Sequence, residues 1–206
     1  MRLTRPLVAL LLSIAPLAGC RSPEVAFYVM PTPNGGDIHA QDDGAAVIVS
    51  AIEVPRIVDR PQLVWRTSET ALHADDFHRW GASLPAEIQR ALMEHLRAML
   101  RTNTVVSEPA ELPGLEPLRL TVYVQQLDAH AGSGIYLRAV YTVRRGEQRD
   151  VVARGEAEVR APLEGEGPTA VVKGYGIVVE GMARQIAERL KAVPPPPPPA
   201  PVTTAP

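Results

Sequence analysis

The chain has one cysteine, and its surroundings are those of a thiol placed for covalent modification. Cys20 directly follows Leu17-Ala18-Gly19 at the end of a short apolar run. Arg2 and Arg5 precede this run, so the segment has the basic start, apolar centre and small-residue end of an export signal. The run is too short to span a bilayer as a stable helix. These residues predict a signal peptide over residues 1–19.

The same segment resembles the cleavage and acylation site of bacterial lipoproteins. The resemblance implies a diacylglyceryl group on the Cys20 thiol and usually a third acyl chain on the new amino group. Each buried methylene contributes about 0.8 kcal/mol, so one chain anchors a protein marginally and two or three anchor it permanently. Arg21 stands where an aspartate commonly signals inner-membrane retention, which implies the periplasmic face of the outer membrane. A buried free thiol that follows a signal-like segment is the alternative.

No other residues form a pattern typical of catalysis or metal binding. His73 and His78 flank Asp75 and Asp76, but a spacing of five residues does not place both imidazoles on one face of a helix. No glycine-rich phosphate loop precedes a predicted helix, and no serine or cysteine lies in a nucleophile motif. We therefore expect no enzyme activity, no metal site, no catalytic residues and no cofactor, apart from the covalent lipid on Cys20.

Composition and patterning limit the class of protein. The formal net charge is −2, the aromatic residues are two Trp, five Tyr and two Phe, and there is no basic tract, so a nucleic-acid partner is not expected.

Residues 45–193 suit one domain with one core. Residues 20–44 are predicted to be an acylated tether, with Phe27-Tyr28-Val29 as its only strand-like island. Residues 194–206 begin with six prolines and are predicted to be a disordered spacer.

Periodicity predicts an α+β domain, with a mainly antiparallel sheet of about four to six strands packed with two helices. Residues 47–52 form an apolar run that suits a central strand, and residues 63–65 suit a short edge strand. Three longer strands are predicted at 118–127, 135–144 and 151–160. One face of these three strands is apolar, including Leu118, Leu120, Val122, Val124, Val151, Ala153, Ala157 and Val159. The other face is charged, which indicates a half-solvated sheet with cross-strand charge pairs or, alternatively, a docking surface.

Two helices complete the predicted domain. The first begins after Ser83, its predicted N-cap, and ends near Asn103, with His95 on its apolar side as a core or interface residue. The second runs from about residue 169 to residue 191 and contains Gly174, Gly176 and Gly181. Each glycine costs about 1 kcal/mol relative to alanine, so we expect close approach to a sheet or to a neighbouring subunit.

Two short motifs resemble those of a known family. The first is Val54-Pro55 followed by Asp59-Arg60-Pro61-Gln62, and the second is Arg79-Trp80 just before Leu84. Together they are similar to the ABC-type transport auxiliary lipoproteins of the PqiC (paraquat-inducible protein C) group. Many relatives have Tyr-Leu before the Asp-Arg-Pro motif, where this chain has Ile57-Val58. The family resemblance implies a small α/β lipoprotein that works with an MCE protein, an ABC permease and an ATPase to move lipids between the two membranes of the envelope.

The motif residues have a structural and a functional interpretation. Asp59 and Pro61 suit a rigid turn into the next strand. Arg79 and Trp80 are residue types enriched at interface hot spots. In the competing structural account, a buried Trp80 closes the core and Arg79 pairs with Asp59. Both accounts stay open, and the candidate residues for a partner interface or structural motif are Asp59, Arg60, Pro61, Arg79 and Trp80.

The sequence therefore predicts a non-catalytic accessory lipoprotein that ties an MCE-domain protein to the outer membrane and supports membrane integrity. The resemblance also implies a homo-oligomer, with rings in some members. The alternative is a structural envelope lipoprotein without a transport role, whose proline tail reaches toward peptidoglycan or a protein.

Overall fold

The computed structural model of the protein describes residues 23–33, 45–130, 133–146 and 150–194. Cys20, the signal peptide, residues 34–44 of the tether and the tail beyond Pro194 lie outside these residues, and what was predicted for them stays a prediction. The predicted α+β fold class is confirmed, since one sheet packs with two helices around one core. The sheet has eight strands, against four to six predicted, and parallel as well as antiparallel pairs.

Eight strands and two helices follow one another along the described residues. The strands are β1 (Ala26–Tyr28), β2 (Val47–Val49), β3 (Gln62–Arg66), β4 (Leu72–Trp80), β5 (Val105–Ser107), β6 (Leu118–His130), β7 (Gly134–Arg145) and β8 (Asp150–Ala161). The helices are α1 (Leu84–Leu100), between β4 and β5, and α2 (Gly167–Lys191), after β8. The sheet order is β1-β4-β3-β6-β2-β5, and β7 and β8 extend the other side of β6.

Strands β6, β7 and β8 form the predicted antiparallel meander. The buried face of β6 carries Leu118, Leu120, Val122 and Val124. Ala153 and Ala157 of β8 are buried as predicted, but the prediction for Val151 is wrong because this side chain is exposed. The register of β7 against β8 shifts between Val143 and Arg144. Such a one-residue shift turns the following side chains to the other face of a strand.

The prediction that residues 63–65 form an edge strand is wrong. Strand β3 lies between β4 and β6, pairing antiparallel with β4 and reaching β6 through the parallel pair Arg66 and His130. No local pattern predicted β4, because polar residues interrupt its apolar alternation and its register against β3 shifts near Gln62. Without β4 as a neighbour, β3 could be placed only at the margin.

Helix α1 begins where the sequence predicted. Ser83 occupies the N-cap position with extended backbone, although its side chain makes no capping hydrogen bond. The helix ends at Leu100, before the predicted Asn103, and Arg101 adopts a left-handed conformation with φ of 55°. His95 lies on the buried side of the helix, as expected.

The glycines of α2 allow close packing within the chain. A Cβ atom added at Gly181 would lie 2.6 Å from Val159 Cγ1 of β8, and one added at Gly174 would clash with a side chain of β7. The expected close approach to the sheet is therefore confirmed for these two positions. A Cβ at Gly176 would lie 2.6 Å from Pro31 Cγ, so this glycine makes room for the chain that follows β1.

The N-terminal segment, residues 23–33, is built into the domain. Strand β1 pairs in parallel with β4, which confirms the strand-like island and places sheet residues before the expected start at 45. Beyond β1, the buried Glu87 carboxylate accepts a hydrogen bond from Met30 N at 2.9 Å. Arg90 Nη2 lies 2.8 Å from the same oxygen and donates to Met30 O at 2.6 Å. Because a buried carboxylate needs such partners, these three residues clamp the segment to α1.

Candidate interaction surface at the Asp59 to Pro61 turn

The first sequence motif forms a tight turn that leads into β3. The Val58 and Asp59 amides both donate to Pro55 O, at 3.0 and 3.2 Å. Val58 is buried, whereas the Asp59 and Arg60 side chains are exposed. The turn therefore exposes two opposite charges to solvent. Hydrogen bonds within the turn fix the backbone that carries them.

The two motifs meet at the ends of neighbouring strands. Trp80 N donates to Pro61 O at 2.8 Å, which joins the last residue of β4 to the turn. On the other side of β4, Tyr28 of β1 pairs in register with Trp80. The structure therefore brings together Pro61, Arg79 and Trp80, which the sequence could only name as separate motifs.

Trp80 belongs to the core. Its side chain is 4% exposed, and its indole stacks on the Tyr175 ring of α2 with centroids 5.7 Å apart and planes at 10°. Tyr175 is also buried, and its hydroxyl donates to Val64 O at 3.2 Å. Burial raises the pKa of Tyr175 well above its usual range, so the phenol stays neutral. Burial of this kind favours the structural interpretation of Trp80.

The arginine beside Trp80 does not make the expected ion pair. Arg79 Nε donates to Asp76 O at 3.1 Å, within β4, instead of pairing with Asp59. The pairing of Arg79 with Asp59 in the structural account is therefore wrong. The turn and the end of β4 are joined through the Trp80 and Pro61 backbones and not through this ion pair.

The histidines near this site lie on a strand, not on a helix. Asp75 Oδ1 is 2.9 Å from His78 Nδ1, and Asp75 Oδ2 is 3.8 Å from His73 Nε2. Burial acts to raise the pKa of Asp75, but the His78 imidazole, the Phe77 amide and the two histidine charges together lower it below the usual value. Over residues 23–33, 45–130, 133–146 and 150–194, no three His, Cys, Asp or Glu side chains are arranged to hold a metal ion.

Sequence reasoning missed an apolar groove of about 480 Å³ between α1, α2 and the N-terminal segment. Its lining includes Pro31, His95, Met99, Lys173, Ile177 and Glu180. The apolar side of α1 was the available signal, but the groove depends on how two distant helices and the N-terminal segment pack. His95 is 6% exposed there, and its Nε2 has no hydrogen-bond partner in the described part of the chain.

We expect His95 to make the protein less stable as the pH falls. Burial lowers the pKa of His95 below its ordinary value of about 6.5, Arg184 acts in the same direction, and Glu180 and Glu94 oppose it. At pH values between the His95 pKa in the folded protein and its pKa in the unfolded chain, the unfolded chain binds more protons. The contribution of His95 to stability is therefore complete above about pH 6.5 and decreases as the pH falls below it. The measurement is the free energy of unfolding in urea at about pH 7 and about pH 5.

His95→Gln should remove part of this pH dependence, because the side chain no longer titrates. The matched control is His73→Gln, since His73 is exposed and should leave the decrease toward low pH in place. A His95→Gln variant with the full decrease of the original protein would contradict the assignment.

The outer face of the meander carries a cross-strand charge pair, as predicted. Arg138 of β7 pairs with Glu156 of β8. Arg119 Nη1 of β6 lies 2.9 Å from Glu108 Oε1, which belongs to the loop after β5 and not to the meander. Because these side chains are partly exposed, water and salt screen their attraction. The pair of Arg138 and Glu156 fits a half-solvated sheet, and the docking role of this face stays a hypothesis.

Both motifs lie inside a match to a known family. A family model described as ABC-type transport auxiliary lipoprotein component matches residues 28–187. The matched region runs from the last residue of β1 through most of α2. No curated protein matches the chain.

Two solved structures share the fold at low sequence identity, and a third is a weaker structural match. A crystal structure of a protein described as uncharacterized is 14% identical, with a TM-score of 0.64, and the match covers 81% of this chain and 99% of that chain. XCC0632 from Xanthomonas campestris is 14% identical, with a TM-score of 0.59 and coverage of 81% and 95%. A PelC dodecamer from Paraburkholderia phytofirmans is 14% identical, with a TM-score of 0.45 and coverage of 80% and 94%.

Proposed function

This chain belongs to the ABC-type transport auxiliary lipoprotein family, and from that premise we propose that it is the membrane-anchored accessory protein of an MCE/ABC-type lipid transport system. Acyl chains on Cys20 hold it at the periplasmic face of the outer membrane. The domain links the MCE protein to that membrane and so supports membrane integrity. The family match over residues 28–187 carries the proposal, and a transport auxiliary family supports a non-catalytic role.

The geometry distinguishes which motif residues suit a partner. Trp80 is buried against Tyr175, so its role is to hold the ends of β1, β3 and β4 together. Asp59 and Arg60 face solvent on the rigid turn that Trp80 supports. The proposal therefore assigns partner contact to the exposed charges of the turn, with Trp80 behind them as a structural support.

A homo-oligomeric ring is part of the same proposal. The glycines of α2 no longer support it, because each is accounted for by contacts within the chain. The open edge of β8, which pairs only with β7, supports it instead. A ring needs a heterologous interface that repeats until it closes. Light scattering that shows a monomer at every concentration would remove this part of the proposal.

The partner is tested by photocrosslinking in cells. A photoreactive residue replaces Arg60 on the turn and, in a second strain, Arg138 on the outer face of the meander. Both side chains are exposed, so neither change should disturb the core, whereas the buried Trp80 is unsuitable. We expect crosslinks from position 60 to an MCE-domain protein, and fewer from position 138.

Crosslinks only to other copies of the chain or to peptidoglycan-associated proteins would contradict the transport role and favour the structural envelope lipoprotein. Deletion of residues 195–206 further distinguishes the transport role from the role of a structural envelope lipoprotein. Arg145 Nη2 donates to Pro194 O at 2.5 Å, so the deletion leaves the attachment of the last described residue intact. If the tail is only a spacer, the truncated protein keeps its crosslinks to the MCE protein.

A further inference from the structure

Strand β1 exposes apolar side chains at the margin of the sheet. Phe27 is 68% exposed and Val29 is 59% exposed, whereas Met30 is buried and Tyr28 packs partly against the core. Alternation along extended backbone accounts for this, since Phe27 and Val29 point to the opposite side from Tyr28 and Met30. Proteins usually protect edge strands with charges, prolines or a covering element. An exposed Phe and Val on an edge therefore indicate a surface that something else covers.

A third apolar side chain lies beside this edge. Phe77 of β4 is 44% exposed. Ala26 pairs with His78 and Phe27 pairs with Arg79, so Phe77 lies level with the start of β1. We call Phe27, Val29 and Phe77 together the β1 edge patch.

The backbone beneath the patch is held firmly. Gly81 N donates to Tyr28 O at 2.7 Å, and the clamp of Glu87 and Arg90 holds Met30 just beyond Val29. These contacts prevent the segment from turning its apolar side chains into the core. The patch is thus a fixed feature of the surface.

The position of the patch along the chain identifies what covers it. Only five residues lie between Cys20 and Ala26, the first residue of β1, so Ala26 is six residue steps from Cys20. Fully extended, six residues span at most about 20 Å. An acylated Cys20 therefore keeps the β1 margin of the sheet close to the membrane surface, even with the connection stretched to its limit.

We propose that the β1 edge patch rests on the lipid surface that holds the acyl anchor, with Phe27, Val29 and Phe77 at the boundary between headgroups and acyl chains. This inference rests on the proposed lipidation of Cys20. Three side chains are too few to bind a membrane alone, but the short tether makes the contact intramolecular, with an effective concentration on the order of millimolar. Apolar side chains at this boundary gain free energy because their surface leaves water.

Charges near the patch indicate which lipid surface it suits. Glu24 and Asp76, which are close in sequence to Phe27 and Phe77, are exposed, and the cation Arg79 pairs in register with Phe27. This mixed local charge gives no advantage on a strongly anionic surface. The patch therefore fits a surface rich in a zwitterionic lipid such as phosphatidylethanolamine.

The contact would fix the orientation of the domain. Strands β2 and β3 pair with the same edge of β6, near Leu118 and near His130, and β7 and β8 lie on its other edge. The margin opposite β1 is therefore β8, which would lie away from the membrane. The tether alone would allow the domain to rotate freely, whereas the patch holds the β1 margin of the sheet against the membrane.

The test uses the acylated mature protein in vesicles of phosphatidylethanolamine with a minor share of phosphatidylglycerol. Because acylation blocks the Cys20 thiol, Phe27→Cys provides the only reactive thiol for an environment-sensitive fluorophore. Lipids with a nitroxide at the headgroup quench a fluorophore that touches the membrane. The matched control is Leu115→Cys, whose side chain is 52% exposed in the loop between β5 and β6, just before the end of β6 that lies away from β3.

We expect quenching several-fold stronger at position 27 than at position 115. Equal or absent quenching at position 27 would overturn the proposal. The proposal would also be overturned if the fluorescence at position 27 changed only when labelled protein was diluted with unlabelled copies. A second copy of the chain would then cover the edge. Intact-mass measurement on the same sample reports the acyl chains on Cys20 separately, so a failure of the anchor is distinguished from a failure of the contact.

Discussion

Replacing Trp80 by alanine should destabilise the domain by about 3–5 kcal/mol, the cost typical of removing a large buried aromatic side chain. Trp80 is 4% exposed and stacks on Tyr175, so the change leaves a cavity between β4 and α2. The Tyr175 ring, whose hydroxyl donates to Val64 O, would lose the side chain it stacks on. Trp80→Phe should cost less, because a ring remains to stack. The measurement is urea unfolding followed by circular dichroism.

Phe77→Ala is the matched control for this change. Phe77 lies on the same strand but is 44% exposed, so its removal should change the free energy of unfolding by less than about 1 kcal/mol. If Trp80→Ala left the stability unchanged but abolished partner crosslinking at position 60, the core role would be wrong and the interface interpretation of Trp80 would return.

The second large effect concerns attachment to the membrane. Cys20→Ser should release the protein from the membrane fraction, because a hydroxyl cannot take the diacylglyceryl group that the thiol accepts. Two or three acyl chains give nearly permanent anchoring, at about 0.8 kcal/mol per buried methylene. Between residues 23 and 194, within the described part of the chain, no helix has both the length and the apolar character needed to cross a membrane. The measurement is membrane fractionation with intact-mass analysis.

Ser22→Ala serves as the control, since it changes a neighbour of Cys20 without touching the thiol. This variant should fractionate with membranes as the original protein does. A Cys20→Ser variant that stayed fully membrane-bound would contradict anchoring through the thiol. The β1 edge patch alone should give at most weak, reversible binding.

The sequence by itself determined the features that local patterns encode. Alternating apolar residues between 118 and 160 predicted β6, β7 and β8, because side chains of a half-buried strand alternate between core and solvent. Helical spacing and Ser83 predicted the start of α1. The family resemblance came from two short motifs and is confirmed by the match over residues 28–187. The residues of the candidate surface could therefore be named before their arrangement was known.

Only the tertiary structure decided how distant segments pair. Tyr28 of β1 lies beside Trp80 of β4, and Trp80 bonds to Pro61, although these residues are far apart in sequence. A strand as polar as β4 has no local signal, because its partners on both sides, and not its own alternation, stabilise it. Because β4 was not predicted, β1 could not be assigned to the sheet and β3 could not be placed inside it. For the same reason the burial of Trp80 could not be predicted. Parallel and long-range contacts depend on the whole chain, and for this reason the joined turn, the helical groove and the β1 edge patch were decided by the fold.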